Sequence, residues 1–389
     1  MRPLEGRRLW FVGIGGAGLS SYAFLARAWG AEVGGWDRLD TPYLRGLEGV
    51  EVVLAPEPVV PEGWEAVVSS AYPAVAGTSR ADFLAELVSL RRSIVVAGAH
   101  GKTTTTAMIA FTLSELGLDP AWLVGGEIAQ LGGNAGAGEE WLVVEGDESD
   151  RTVEKLRPQI AVVTNVELDH HATFASAAEV EELFERWLAA APQAVRGWEL
   201  APVTFELALP GEHNRRNAAT ALAALELAGV ARADAEPVLA RFRGAGRRFE
   251  TVGEKNGVVV VDDYAHHPSE IAATVSAARE RTEGRVLVLF QPHLYSRTRH
   301  LAHDLGAALS TADAACVTEI YRAREQPVEG VSGKLVVDAL RPGLRAGWAP
   351  RVEDGARLVA SWARPGDLVL TVGAGDVDQA GPLVLEALA

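Results

Sequence analysis

With 389 residues the chain is long enough for two or three domains, because single cores stop growing at about 250 to 300 residues, so one compact domain is excluded. A composition of 48% hydrophobic and 23% charged residues, with 40 Gly and 19 Pro in no fixed period, excludes disorder and fibre. The formal charge of -16 repels nucleic-acid backbones and anionic membranes, so neither is expected as a partner and any anionic ligand must be gripped locally.

At the N-terminus Arg2, Arg7 and Arg8 ahead of Leu9 to Leu25 imitate a signal peptide. Gly13, Gly15, Gly16 and Gly18 break that apolar run and Arg27 interrupts its continuation, and a phosphate-binding loop explains the same glycines better. No run reaches the about 18 apolar residues a membrane span requires. Cys316 stands alone, without CxxC pairs or a Cys/His zinc pattern, which fits a reducing cytoplasm.

Short apolar runs at Leu9 to Val12 and Ala66 to Val68, separated by helical spacing over Leu19 to Trp29, predict a first parallel α/β segment. A second opens with a strand at Ser93 to Val96, turns through a Gly-rich loop into a helix from Lys102 to Glu115, and continues with strands at Leu142 to Glu145 and Ile160 to Thr164. Beyond an Ala-rich helix from Asn214 to Ala228, a third has strands at Val258 to Val261, Val286 to Phe290, Ala314 to Thr318 and Asp367 to Val372. The expected boundaries are 1–90, 91–230 and 231–389.

Two Gly-rich loops join a strand to a helix. In Gly13-Ile14-Gly15-Gly16-Ala17-Gly18 the glycines let the backbone approach a pyrophosphate at a helix N-terminus, and Asp37, about twenty residues on, suits a ribose hydroxyl. That pattern equally fits NAD, FAD, a nucleotide-sugar diphosphate or a plain tight turn. Gly98-Ala99-His100-Gly101-Lys102-Thr103-Thr104-Thr105-Thr106 is more informative. Its amides can cradle phosphates, Lys102 can neutralise β/γ oxygens and the Thr103 hydroxyl can bind Mg²⁺, while four consecutive threonines are poor helix formers that want another explanation.

Further along, Glu145-Gly146-Asp147-Glu148-Ser149-Asp150 ends a strand in four carboxylates, a crowding that calls for a cation. Asn165-Val166-Glu167-Leu168-Asp169-His170-His171 ends the next strand, where His170 or His171 can complete a metal site or simply hydrogen-bond. Arg/His groups at Gly211 to Asn217, Gly246 to Phe249, Asp262 to Pro268 and Gln291 to Thr298 read as anion-gripping sites or as ordinary surface ion pairing.

Taken together, VGIGGAG, GAHGKTTTT, GDESD, NVELDH, PGEHNRRN, GRRFE, DDYAHHP and FQPHLYSRT, in this order from Phe11 to about Gly375, resemble the Mur ligases, and within them the members that add alanine. The resemblance implies an α/β fold of three domains: N-terminal Rossmann-like for a UDP-sugar, central P-loop ATPase-like with a shortened parallel sheet, and C-terminal Rossmann-like, closing over ATP and carrying the amino acid. It implies a cytoplasmic monomer or homodimer that uses ATP and Mg²⁺ to join L-alanine to the lactoyl carboxylate of UDP-N-acetylmuramate through an acyl phosphate.

By the same resemblance, Lys102 stabilises the transferring phosphoryl group, Thr103, Glu145 and His170 hold Mg²⁺, and Gly98, His100, Gly101 and Thr104 complete the loop. Asn214, Asn217, Arg248 and Asp263 meet ATP, whereas His266, His293 and Arg297 orient the amino acid or acyl phosphate. Gly13, Gly15, Gly16, Ala17, Gly18, Asp37, Ser69 and Ser70 take the UDP-sugar.

Three departures stand out: Ala99 where the family has Thr, a short tract from Phe174 to Leu209 where a small antiparallel sheet is expected to be missing or reduced, and Leu294 where some relatives have Arg. Competing readings are a recycling ligase that attaches a preformed tripeptide to the same nucleotide sugar, a non-catalytic nucleotide-sugar sensor, and a nicotinamide dehydrogenase.

Overall fold

A parallel strand covered on both faces needs an unbroken apolar run, and each run named above becomes a strand. In a computed structural model, which describes residues 2–169, 173–323 and 325–388, the first segment runs β1 (Arg8–Val12), α1 (Ala17–Ala28), β2 (Glu32–Asp37), β3 (Glu51–Leu54), β4 (Glu65–Val68), β5 (Thr78–Ser79) and α2 (Arg80–Ser89). Its five strands are all parallel, in the order β3-β2-β1-β4-β5. Side chains alternate across the sheet: Trp10 and Val12 join Trp36 and Val68 in one core, with Trp64 and Tyr72 packed against it, while Phe11 meets Phe83 of α2 edge to face at 5.6 Å.

The second segment runs β6 (Arg92–Ala97), α3 (Lys102–Glu115), β7 (Ala121–Ile128), β8 (Gly133–Gly136), β9 (Trp141–Glu145), β10 (Ile160–Val163), α4 (Ala177–Ala190), β11 (Gln193–Arg196), α5 (Glu212–Leu227) and α6 (Arg232–Leu239). Its strands order as β11-β10-β6-β9-β7-β8, parallel except for the β7–β8 edge pair. Among the described residues the tract 174–209 holds one helix, the short parallel edge strand β11 and a 3-10 turn at Gly197–Glu199, with no antiparallel pairing.

The third segment runs β12 (Glu250–Lys255), β13 (Val258–Asp263), α7 (Pro268–Arg281), β14 (Val286–Phe290), α8 (Tyr295–Leu309), β15 (Ala314–Val317), α9 (Lys334–Asp338), β16 (Arg345–Trp348), α10 (Val352–Trp362), β17 (Leu368–Val372) and α11 (Ala380–Ala387). The order is β12-β13-β17-β14-β15-β16, with only β12 antiparallel. One face packs Val258, Val260, Leu287, Leu289 and Val369 against Ala356, Val359 and Trp362 of α10 and Val384 of α11, in the same core as the buried Cys316.

Chain contacts divide the molecule into two units. One comprises Met1–Val166, Glu181–Leu200 and Ala219–Leu239, and the other Glu167–Val180, Ala201–Ala218 and Ala240–Ala389. The first two sheets therefore share a unit: α1 packs against β7 and β8, Asn134 Nδ2 donates to Ser21 Oγ at 3.0 Å, and Trp29 Nε1 donates to the Gly138 carbonyl at 3.3 Å. In both sheets the strand that precedes a Gly-rich loop, β1 or β6, lies where the strand order reverses. Open α/β sheets bind ligands in the crevice at such a point. No helix among the described residues is long and apolar enough to cross a membrane.

Candidate active site

The loop after β1 is tied into its own sheet. Gly13 has φ +88°, and an added Cβ would lie 2.9 Å from the Ser69 Cβ, so only glycine fits and Ser69 stands beside the loop. Asp37 sits at the end of β2, buried, and both of its oxygens are engaged: Oδ2 accepts the Gly15 amide at 2.7 Å and Oδ1 the Arg38 amide at 2.7 Å. The acid expected to take a ribose hydroxyl thus shapes the loop that precedes it. Gly16 caps α1, Ala17 begins it, Gly18 lies under the Arg80 guanidinium, and Ser70 is exposed on the turn after β4.

The loop after β6 is built around a cation. Gly98 has φ +125° and an added Cβ would collide with Thr164 Oγ1, while Gly101 is left-handed at φ +77° and caps α3. Asn165, from the motif after β10, accepts the His100 amide through Oδ1 and donates to the His100 carbonyl through Nδ2, both at 2.9 Å. The four threonines are accounted for by burial, since Thr103 to Thr106 are all enclosed on α3 and Thr106 Oγ1 bonds back to the Lys102 carbonyl at 2.8 Å. Thr103 Oγ1 donates to Glu145 Oε2 at 3.2 Å, so the two described members of the expected metal set meet. His170 and His171 lie outside the described residues.

The crowded carboxylates have separate partners. Glu145 Oε1 accepts the Gly125 amide at 2.6 Å, Asp147 the Ser149 amide at 2.8 Å and Asp150 the Thr152 amide at 2.9 Å, whereas Glu148 receives Lys102 Nζ at 3.0 and 3.1 Å. Burial alone would drag Lys102 down, but Glu148, Asp147 and Glu145 hold its ammonium above the usual lysine value. Lys102 is thus one cation set among those carboxylates.

In the other unit, Arg297 on α8 is buried and gives its fork to Asp169, with Nε and Nη2 2.9 and 2.8 Å from Oδ1. Arg297 Nη1 lies 3.1 Å from His293 Nδ1. A guanidinium only donates, so Nδ1 accepts and the His293 proton sits on Nε2. Burial, aided by His266 and Arg297, pushes His293 down to about 3, so it is neutral. His266 Nδ1 lies 3.0 Å from the Tyr264 carbonyl, its Nε2 faces Asp169 Oδ2 at 3.8 Å, and its ring centre is 5.9 Å from that of His293. Leu294 caps α8 at φ +69°, a strained conformation for a side chain with a Cβ.

The remaining nucleotide candidates fall in two hydrogen-bonded groups. Asp263 accepts the Phe249 and Ala265 amides at 2.8 and 2.9 Å and the Thr274 hydroxyl at 3.1 Å, and burial pushes its carboxyl up to about 6 against the pull of Arg248. Arg248 lies 4.8 Å over the Tyr264 ring. On α5, Asn214 Nδ2 donates to the Pro210 carbonyl at 2.7 Å and Asn217 Nδ2 reaches Asn214 Oδ1 at 3.4 Å.

Sequence reasoning assigned no role to Glu148, Asp169 or Tyr321. Both acids were visible inside quoted motifs, but which cation each would take depends on the fold. Tyr321, stacked on His293 at 5.8 Å, carries no signal of its own.

Two family models match: the Mur ligase middle domain over residues 96–195 and the glutamate ligase domain of the Mur ligases over 247–375. The chain is 40% identical over 448 residues to the UDP-N-acetylmuramate–L-alanine ligase of Streptomyces coelicolor, covering 97% of each chain. It is 40% identical over 447 residues to the enzyme of that name from Rubrobacter xylanophilus, covering 97% of this chain and 99% of the relative. Those spans exceed this chain's own 389 residues, so the relatives carry segments it lacks. The crystal structure of UDP-N-acetylmuramate-alanine ligase from Thermotoga maritima superposes with a TM-score of 0.78 at 25% identity, over 97% of this chain and 98% of that one. A murein peptide ligase from Psychrobacter arcticus shares the fold, with a TM-score of 0.66 at 23% identity.

Proposed function

We propose that this chain, which belongs to the Mur ligase family, uses ATP to join L-alanine to the lactoyl carboxylate of UDP-N-acetylmuramate in peptidoglycan precursor synthesis. The observation that carries the reading is the Lys102–Thr103–Glu145 arrangement at the sheet's switch point, within a chain matched end to end by alanine-adding relatives. We assign residues 1–90 to the UDP-sugar, 91–230 to ATP and 231–389 to the amino acid, and place the reaction in the cytoplasm, where the nucleotide substrates are made.

The substrate carboxylate attacks the γ-phosphorus, the bond to the β-bridging oxygen breaks, and ADP leaves an acyl phosphate. The alanine amine then adds to the acyl carbon. The resulting tetrahedral species expels phosphate, a better leaving group than the amine once the amine has lost its proton.

Most of the protein's work is positioning and charge stabilisation. The amides of Gly98, Gly101 and Thr104 cradle the phosphates, with His100 holding the loop in shape through Asn165, while Lys102 neutralises charge on the oxygens of the group in flight. Two oxygen donors side by side, Thr103 Oγ1 and Glu145 Oε2, fit a hard divalent cation, and they would hold Mg²⁺ with His170. When bound, Mg²⁺ supplies Lewis-acid polarisation of the phosphoryl oxygens.

Asn214, Asn217, Arg248 and Asp263 take the nucleotide, with the two asparagines nearest the base. Because Asp169 takes the Arg297 fork, Arg297 holds His293 Nδ1 as an acceptor and thereby leaves the His293 Nε2–H, with His266, to orient the alanine or the acyl phosphate. The loop at Gly13, Gly15, Gly16, Ala17 and Gly18, shaped by Asp37 and flanked by Ser69 and Ser70, takes the UDP-sugar diphosphate.

Phosphate release from ATP, with UDP-N-acetylmuramate and each amino acid added or omitted in turn, tests the reading. Release that depends on both the sugar nucleotide and alanine is expected. Release with a preformed tripeptide but not with alanine would replace it by a recycling ligase, and no release under any combination would leave a nucleotide-sugar sensor.

A further inference from the structure

Glu148 is only 2% exposed, and its carboxylate is committed to a group that the reaction needs elsewhere. An ammonium has three N–H donors. Lys102 Nζ directs them at the Gly98 carbonyl at 2.6 Å, the Glu148 carboxylate at 3.0 and 3.1 Å, and the Ala99 carbonyl at 3.2 Å. The neighbouring acids do different work, Asp147 and Asp150 capping amides of their own turn and Glu145 bonding Thr103 and Gly125.

That turn is itself fixed. The Arg151 amide donates to the Glu148 carbonyl at 3.0 Å and the Val153 amide to the Asp147 carbonyl at 2.9 Å, with Arg151 left-handed at φ +59°. Glu148 therefore presents its carboxylate to Lys102 from a rigid support.

We propose that Glu148 is a positioning residue for phosphoryl transfer: its carboxylate latches the Lys102 ammonium against the Gly98 loop in the nucleotide-free protein and shares it with the incoming phosphates. This rests on the nucleotide reading above. An anion entering the loop competes with a buried carboxylate for one ammonium, so the latch weakens nucleotide binding in the ground state. It also keeps Lys102 extended along the loop, where the charge of the transferring group develops. Interactions that hold a group for the transition state at the expense of ground-state affinity lower KM and kcat together when removed.

The test is calorimetry of the non-hydrolysable analogue β,γ-imido-ATP on the full chain, with Mg²⁺ and with a chelator, together with steady-state kinetics in ATP. Glu148→Gln keeps the size and an acceptor but removes the charge. It is expected to bind the analogue about three- to tenfold more tightly in both conditions, while kcat falls about tenfold or more. Glu148→Asp, which keeps the charge but reaches less far, falls between the wild type and Glu148→Gln in both measurements, and carries the same decision if the glutamine variant does not fold.

An unchanged or weaker dissociation constant for Glu148→Gln overturns the latch. So does tightening seen only with Mg²⁺, which would assign the residue to the metal. A wild-type chain that binds no nucleotide overturns the nucleotide reading as well, whereas wild-type binding with no gain in Glu148→Gln removes the latch alone.

Discussion

Lys102 and Arg297 both belong to motifs whose cations read as anion grips, yet the structure treats the two charges in opposite ways. Lys102 is one ammonium among several carboxylates, held by a single acid and two loop carbonyls that a phosphate can replace. Arg297 is matched by Asp169, whose Oδ1 takes both Nε and Nη2, and the histidine beside it is kept neutral by burial. A point charge on a flexible stem can change partners, whereas a planar fork already filled by a carboxylate is part of the scaffold. In the proposed reaction that difference separates a group that acts on the substrate from one that places such a group.

Replacing each in turn breaks or sharpens that contrast. Lys102→Ala is expected to lower turnover by about 10² to 10³ or more, with UDP-N-acetylmuramate binding nearly intact by calorimetry. Loss of sugar-nucleotide binding in that variant would mean that the two Gly-rich loops do not act separately. Arg297→Lys cannot hold Asp169 Oδ1 and His293 Nδ1 together with the fixed geometry of a guanidinium, so it should cost about 1.5 to 3 kcal/mol of stability in urea unfolding and raise the KM for alanine roughly tenfold. A stable variant with normal alanine dependence would return Arg297 to the free anion grips.

The histidines of the second unit extend the contrast, because burial pushes His213 down to about 4. The folded protein holds it neutral while the unfolded chain takes up a proton near its ordinary value of 6.5, so this contribution to stability is complete above pH 6.5 and is lost as pH falls towards 4. His213→Gln should flatten the pH dependence of the unfolding midpoint over that window, by no more than about 3 kcal/mol at its acid end. An unaltered slope would show that the imidazole titrates freely in the fold.

Closer to the phosphate loop, Glu145→Gln should raise the Mg²⁺ concentration for half-maximal activity severalfold and leave the fold intact, as read by magnesium titration and thermal melting. The smallest effect is expected at Leu294. Glycine relieves the left-handed strain there at the expense of unfolded-state entropy, so Leu294→Gly should change stability by less than about 1 kcal/mol, measured by urea midpoint.

Much of this was legible in the chain, for local reasons. Strands such as Val286–Phe290 and the helix Lys102–Glu115 follow from apolar runs and Gly-rich stops, and the structure bounds both at those residues. The parallel edge strand β11 and the antiparallel β7–β8 pair were not named in advance, since short edge strands take their identity from a neighbour rather than from their own pattern. Four threonines in a row made sense only once α3 was seen to be enclosed on all sides.

The same division runs through the site. Residue order alone determined that a strand would meet a glycine loop and then a helix twice, that Lys102 and Thr103 would stand at the second helix's start, and that acids would end the strands around them. Spacing fixes those features because they depend on neighbours a few residues away. Which acid takes which cation was decided only by tertiary structure. Asp37 turning back onto Gly15, Glu148 on Lys102 across 46 positions and Asp169 on Arg297 across 128 are contacts between distant segments. A carboxylate's partner is set by where the backbone brings it and how much water is left there, and neither is written in the residues beside it.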